Sequence, residues 1–327
     1  MSGTGAIAGA QVRDGDGKQE MDDRLIARLE AIATVKTREA LSRHTTFGIG
    51  GPADVFVTVR NARELAAAVI AARESGAPVF VLGAGSNILV GDLGIRGVVI
   101  NNEARGIEGP RELAGEYVLR AESGVAFATL ARNLAKAGYG GVEWACGIPG
   151  TLGGAAVYNA GAYGGCLADV LRGVTVLDAE GRERELSAAE LGLRYRSSVF
   201  TRGELAGTVV LSVEITVTPA DSTGLLRTIA AYDAQRLDAQ PRGRNSGSTF
   251  KNPPGRQAWE MIEGAGLRGQ RIGGARISEK HCNFIENLGE ARAADVHALI
   301  REAQRRVQEK FGIALENEVE LVGEGFA

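Results

Sequence analysis

The sequence predicts an α+β protein organised around glycine-lined loops, and three observations lead there. Apolar residues recur at helical spacing in some stretches and as short β-branched runs in others, so helices and strands are mixed. Two glycine loops stand next to strands without the order strand, glycine turn, helix that a doubly wound dinucleotide fold requires. Glycine contributes 46 of 327 residues, about twice its average usage, which points to many turns built from backbone.

The densest glycine stretch covers residues 147–165. It begins Gly147-Ile148-Pro149-Gly150-Thr151-Leu152-Gly153-Gly154 and ends Asn159-Ala160-Gly161-Ala162-Tyr163-Gly164-Gly165. Glycine permits positive φ and lets another group approach the chain without meeting a Cβ. So few large side chains do not make a core strand, and the stretch carries no charge, unlike a solvated linker. One reading is a loop whose amides wrap an anion such as a pyrophosphate. The other is a tight, glycine-packed structural turn. The second loop, Gly83-Ala84-Gly85-Ser86-Asn87, favours the anion.

Composition bounds the class. Hydrophobic residues are 44% and charged residues 24%, which is ordinary for a globular protein, and the length suggests two or three domains. Net charge is −3 with no basic block, so a nucleic-acid surface is not expected. No apolar run approaches the roughly 18 residues of a membrane span, and the first residues lack a signal-peptide pattern. Cys146, Cys166 and Cys282 are odd in number and widely spaced, against a disulfide framework. A cytoplasmic protein with no membrane attachment and no obligate protein partner is the expectation.

Along the chain, residues 1–21 are polar, small and aperiodic and read as a disordered tail. Its Asp14-Gly15-Asp16-Gly17 lacks the later carboxylate of a calcium loop. Leu25, Ile26, Leu29 and Ile32 recur as a short amphipathic helix. Gly48-Ile49-Gly50-Gly51-Pro52-Ala53 resembles a dinucleotide fingerprint, but the strand Val55-Phe56-Val57-Thr58-Val59 follows it where a helix is needed. A helix starts at the N-cap Asn61, with Glu64 three residues on, and runs to Gly76. Residues 78–82 form a short buried strand that delivers the 83–87 loop. That loop lacks the Lys-Ser/Thr pair of a P-loop, and its polar Ser86-Asn87 tip can donate to phosphate oxygens.

Strands are expected at residues 98–100, 117–119, 174–178 and 209–215, and a helix at 127–138 with a glycine stop. Pro219 opens a boundary. Helical spacing returns at residues 225–237, around Trp259 and Ile262 up to Gly264, and from near Asp295 through Val296, Leu299, Ile300, Ala303, Val307 and Phe311. The chain ends in an alternating strand over residues 315–321, with Glu316, Glu318 and Glu320 on one face. His44, His281 and His297 have no metal spacing, so no metal is expected. His297 reads as a surface residue on the last helix. Trp144 and Tyr163 read by default as core packing, with stacking on a bound ring as the alternative.

Six ordered segments, at residues 44–54, 81–90, 147–164, 195–200, 247–253 and 315–323, together resemble the UDP-N-acetylenolpyruvoylglucosamine reductase family, flavoenzymes of peptidoglycan precursor synthesis. The resemblance runs over roughly residues 40–325 and is to the shorter subtype, since residues 200–247 leave no room for the longer subtype's insertion. It implies a vanillyl-alcohol-oxidase-type FAD domain over residues 22–218, in two subdomains of about 22–100 and 101–218. A smaller α+β substrate-binding domain over 219–312 and a returning C-terminal strand over 313–327 complete it.

FAD would be held non-covalently by Gly83, Ala84, Gly85, Ser86 and Asn87, and by Gly147, Ile148, Pro149, Gly153, Gly154, Asn159, Gly161, Ala162 and Tyr163. Within Tyr195-Arg196-Ser197-Ser198-Val199-Phe200 the resemblance assigns Arg196 as catalytic arginine. Within Gly247-Ser248-Thr249-Phe250-Lys251-Asn252-Pro253 it assigns Ser248 as proton donor, and within Leu315-Glu316-Asn317-Glu318-Val319 it assigns Glu318 as catalytic glutamate. Tyr195, Lys251, Asn252 and His281 fall where relatives meet the UDP-sugar. Two positions depart from the family: Gly48 replaces a basic residue common in relatives, and Tyr158 a usual Met.

The chemistry suits these residue types. In the implied reaction NADPH reduces FAD, and hydride then reaches the enolpyruvyl methylene carbon, which puts charge on the neighbouring carbon and its carboxylate. A fork-shaped, permanently charged guanidinium matches that carboxylate, hence Arg196, whose ordinary fate would be a surface ion pair. Ser248 must protonate a strongly basic centre, although a generic Gly-Ser is a turn serine. Glu318 must be neutral or paired with a cation to stand beside a developing anion; otherwise it belongs to a solvated edge. An FAD-dependent oxidase on the same fold and a flavin- or nucleotide-binding module without turnover are the alternatives.

Overall fold

The computed structural model describes residues 23–327. The tail expected over residues 1–21, with its Asp14–Gly17 segment, lies outside the described residues. Contacts divide the chain into two compact units, each assembled from separated stretches. The first takes residues 23–36, Val55–Gly83 and Gly97–Asp233; the second takes Thr37–Asp54, Ala84–Arg96 and Ala234–Ala327.

Val79–Leu82 pairs in parallel with Ile95–Asn102 inside a four-stranded sheet that also contains Thr34–Ala40 and Pro52–Val59. Helix Ala62–Glu74 covers it, burying Leu65, Val69 and Ala72 against Val55, Val57, Val98 and Ile100. Asn61 caps this helix as its sequence predicts: its side chain accepts the Glu64 amide at 2.9 Å. Leu25 and Leu29 of helix Asp23–Glu30 join the same core. Residues 79–81 are only half-buried, because this strand lies at the edge of the sheet.

A larger antiparallel sheet runs Glu183–Ser187, Leu171–Leu177, Val209–Pro219, Glu116–Glu122, Ile107–Leu113. Its core is completed by helix Phe127–Lys136 and by a short helix, Leu152–Tyr158. That short helix corrects the expectation of a continuous loop over residues 147–165. Thr151 caps it, accepting the Gly154 amide at 3.3 Å, and Leu152, Ala155 and Ala156 are buried beneath it. Helix propensity counts Gly153 and Gly154 against a helix, yet tertiary packing outweighs the penalty. Strand Ile107–Leu113 was not foreseen; six of its seven residues are exposed, so it has no apolar alternation to read.

The second unit is built on helix Ala293–Phe311, which buries Val296, Leu299, Ile300, Ala303 and Val307. Asp295 accepts the Arg292 amide at 3.0 Å at the helix start, and Gly312 ends it in the left-handed region at φ 69°. A small sheet of Arg271–Ile272, Ala275–Ile277 and Ile285–Asn287 and helix Ala258–Gly264 pack on the same core, with Phe47, Leu89 and Phe250. Glu320–Val322 pairs in parallel with Ile88–Val90.

The final strand is shorter than its alternation predicts. It covers only Glu320–Val322, and residues 318–319 form a bend. The cause is one acceptor serving two donors: the Thr249 carbonyl takes the amides of Glu318 and Val319 at 2.8 and 3.3 Å. The three glutamates therefore do not share one strand face. His297 is likewise half-buried rather than a surface residue, with Nδ1 2.9 Å from the Phe326 carbonyl oxygen and its ring on the edge of Phe326.

Candidate active site

Within the second unit, the 84–87 segment is held by backbone. Gly85 is buried at φ 59°, and a Cβ there would lie 2.1 Å from the His44 carbonyl oxygen. Only glycine fits both conditions. The Thr46 amide donates to the Gly85 carbonyl at 3.0 Å. Asn87 reaches toward the C-terminal segment: its side chain donates to the Glu318 carbonyl at 3.1 Å, and its own carbonyl accepts the Glu320 amide at 3.0 Å. At Gly48, φ is 65° and the space a Cβ would enter is taken by the Arg244 side chain, whose Cδ lies 2.9 Å from it.

Ser248 and Glu318 are brought together in this unit through the peptide that follows the serine. Gly247 turns at φ 78°, and its amide donates to Asn245 Oδ1 at 2.9 Å. Thr249 then binds Glu318 and Val319 through its carbonyl, and the Lys251 amide donates to the Glu316 carbonyl at 2.9 Å. Ser248 and Glu318 are both half-buried, so each can meet a ligand. The Lys251 ammonium is paired with the exposed Glu316 carboxylate. Asn252 Oδ1 accepts the Ala258 amide at 3.0 Å and so helps to start the Ala258–Gly264 helix. His281 Nδ1 accepts the Asn283 amide at 3.3 Å, and burial pushes its pKa below the ordinary value, with the Arg268 charge acting the same way.

In the first unit, Arg196 sits in a tight turn closed by mutual backbone bonds between Arg194 and Ser197 at 2.9 and 3.1 Å. Its φ is 51°, a left-handed conformation uncommon outside glycine and asparagine. Its guanidinium donates to the Gly161 carbonyl at 3.1 Å and lies 5.6 Å from the centre of the exposed Tyr195 ring. Ser198 is fully buried and anchors the turn by donating to the Val157 carbonyl. Asn159 caps the Leu152–Tyr158 helix at φ 44°, donates to the Arg194 carbonyl and accepts the Ala168 amide, both at 3.0 Å. Its side chain is thus engaged in holding the Arg196 turn.

The glycines of residues 147–165 have distinct reasons. The amides of Leu152, Gly153 and Gly154 donate within the protein, to Val125 O, Ser123 O and Thr151 Oγ1. A Cβ on Gly153 would lie 2.6 Å from the Ser123 Cβ, and one on Gly165 2.5 Å from Trp144 Cδ1. Close packing therefore requires glycine at these two positions. On Gly83 a Cβ would come 2.8 Å from Thr151 Oγ1. Pro149 and Gly154 are exposed, and Gly147, Ile148, Gly161, Ala162 and Tyr163 half-buried. Tyr163 stacks on Tyr232 with centroids 4.2 Å apart and donates to the Tyr232 carbonyl at 3.1 Å, while Trp144 is a buried core residue.

Neither glycine stretch carries a charged side chain, and residues 83–87 are all small or polar, a lining that fits a diphosphate and a flat heterocycle. Among the described residues no group of three or more His, Cys, Asp and Glu side chains could hold a metal ion. Asn283, which sequence reasoning missed, is a polar residue between Cys282 and Phe284 that is only 4% exposed. A buried amide in an apolar run was the available signal.

Comparison with known proteins matches two stretches of the chain to family models. Residues 53–187 match the model of an FAD binding domain, and residues 238–322 that of the UDP-N-acetylenolpyruvoylglucosamine reductase C-terminal domain. The UDP-N-acetylenolpyruvoylglucosamine reductase of Lachnoclostridium phytofermentans is 41% identical over 310 residues, covering 93% of this chain and 99% of that one. That of Moorella thermoacetica is 44% identical over 293 residues, covering 89% and 94%. The crystal structure of the Thermus caldophilus UDP-N-acetylenolpyruvylglucosamine reductase superimposes with a TM-score of 0.73 at 36% identity, covering 89% of this chain and all of that one.

Proposed function

The chain belongs to the UDP-N-acetylenolpyruvoylglucosamine reductase family, and on that premise we propose that it reduces the enolpyruvyl group of UDP-N-acetylenolpyruvoylglucosamine to the lactyl ether, giving UDP-N-acetylmuramate for peptidoglycan synthesis. FAD, when bound, supplies the hydride chemistry, with NADPH as the reductant. The observation that carries the reading is the pairing of Ser248 with Glu318 through Thr249, inside the segment that matches the reductase C-terminal domain.

The chain's own residues would act as follows. Backbone and small side chains of residues 83–87, and the accessible part of 147–163, would hold FAD non-covalently. Arg196 would bind the substrate carboxylate and counter the charge that grows on it. Ser248 would donate its hydroxyl proton to the carbon next to that carboxylate, and Glu318, neutral or paired with a cation, would stand beside the same centre without repelling its developing charge. Lys251, Asn252, His281 and Tyr195 would meet the UDP-sugar. Lys251 would exchange an exposed carboxylate partner, worth little in water, for phosphate oxygen.

No helix among the described residues is long and apolar enough to cross a membrane. The use of a UDP-sugar and NADPH as small-molecule substrates supports a cytoplasmic reaction. The decisive experiment is anaerobic mixing of the FAD-loaded protein with NADPH, followed by the enolpyruvyl sugar nucleotide. Flavin absorbance should bleach and then return on adding the sugar nucleotide. Return only on admitting oxygen would indicate an oxidase and overturn the proposal.

A further inference from the structure

We propose that Asn283 is a positioning residue for Ser248 and Glu318, an inference that rests on the function proposed above. Its side-chain Oδ1 accepts the Phe250 amide at 2.9 Å while its Nδ2 donates to the Phe250 carbonyl at 2.8 Å. The planar amide thereby imitates the edge of a neighbouring strand. Its backbone carbonyl accepts the Thr249 amide at 2.8 Å. The remaining polar group of these two residues' backbone, the Thr249 carbonyl, takes the Glu318 and Val319 amides. Every backbone donor and acceptor of the two residues after Ser248 is therefore tied either to Asn283 or to the segment carrying Glu318.

Asn283 is 4% exposed and Phe250 2% exposed, so this clamp lies under the site rather than in it. The residue type follows from the geometry. An amide supplies a donor and an acceptor side by side; aspartate keeps only acceptors, and alanine supplies neither. Ser248 is placed by the peptide that follows it, which these bonds hold on both edges. The same peptide sets the bend at Glu318. One buried amide thus governs two groups that the reaction needs in fixed register.

The test separates the two half-reactions in the full-length, FAD-loaded enzyme. In Asn283→Asp, NADPH should bleach the flavin at the wild-type rate and flavin content should be unchanged. Return of flavin absorbance on adding the enolpyruvyl sugar nucleotide should slow roughly 10- to 100-fold, the scale of a misplacement near 1 Å, with kcat lowered more than KM is raised. Asn283→Ala should behave alike, and if it fails to fold, the near-isosteric aspartate variant alone decides. Unchanged return, or equal slowing of both half-reactions, would overturn the positioning role. Failure of the wild-type flavin to respond to the sugar nucleotide would instead overturn the proposed function, and the inference with it.

Discussion

The side-chain amide of Asn159 donates to the Arg194 carbonyl at 3.0 Å, two residues before the proposed catalytic arginine. With the Ala168 amide on its oxygen, it suspends the Arg196 turn from the end of the Leu152–Tyr158 helix. Asn159→Gly keeps the left-handed φ but removes both bonds. Leaving those backbone partners without it should cost about 1–3 kcal/mol, seen as a lower melting temperature. The rate with the sugar nucleotide should fall as well. A variant that melts earlier but turns over normally would show that the clamp serves stability alone.

Arg196 tests the carboxylate role directly. Arg196→Lys keeps the charge and loses the fork, so kcat should fall by roughly 10²-fold, the scale of losing one oriented donor. NADPH-driven bleaching should persist. Near-wild-type turnover by the lysine variant would leave a simple charge effect as the explanation.

Proton delivery is checked at Ser248. In Ser248→Ala the return of flavin absorbance should slow by roughly 10²–10⁴-fold, the usual reach of general acid catalysis, with bleaching by NADPH unaffected. Glu318→Gln should also slow the second half-reaction. Full activity in that variant would remove Glu318 from the mechanism.

Gly85 is a stability prediction. Gly85→Ala forces a Cβ to within 2.1 Å of the His44 carbonyl oxygen at φ 59°. The cost should be about 1–3 kcal/mol or more, measurable by denaturant unfolding, and FAD retention on gel filtration should drop. An alanine variant as stable as wild type would contradict the close approach.

His281 predicts a pH dependence. Burial holds its pKa below 6.5, and the amide bond to Nδ1 needs that nitrogen unprotonated. The unfolded chain therefore binds more protons here than the folded one as pH falls below about 6.5. This contribution to stability is complete above the unfolded value and is lost as pH drops toward the depressed folded value. Between pH 7 and pH 5, His281→Gln should lose less stability than wild type, by denaturant titration at both pH values. Parallel losses would assign the dependence to other groups.

The sequence by itself determined much of this protein. The Asn61 cap with Glu64, the apolar spacing from Val296 to Phe311 and the β-branched runs at residues 55–59 and 209–215 are local signals, written within a turn or two of chain. The motifs around Arg196, Ser248 and Glu318 were legible for the same reason. The tertiary structure decided what those signals cannot contain. Leu152–Tyr158 is a helix despite two glycines because Leu152, Ala155 and Ala156 pack into the core, and Gly153 stays glycine because Ser123 stands where its Cβ would be. The glutamate alternation breaks at Glu318 because a carbonyl about 70 residues away, on Thr249, takes two amides at once. Asn283 and Asn159 matter for the backbone they hold, and hydrogen bonds between distant segments leave no period in the chain to read.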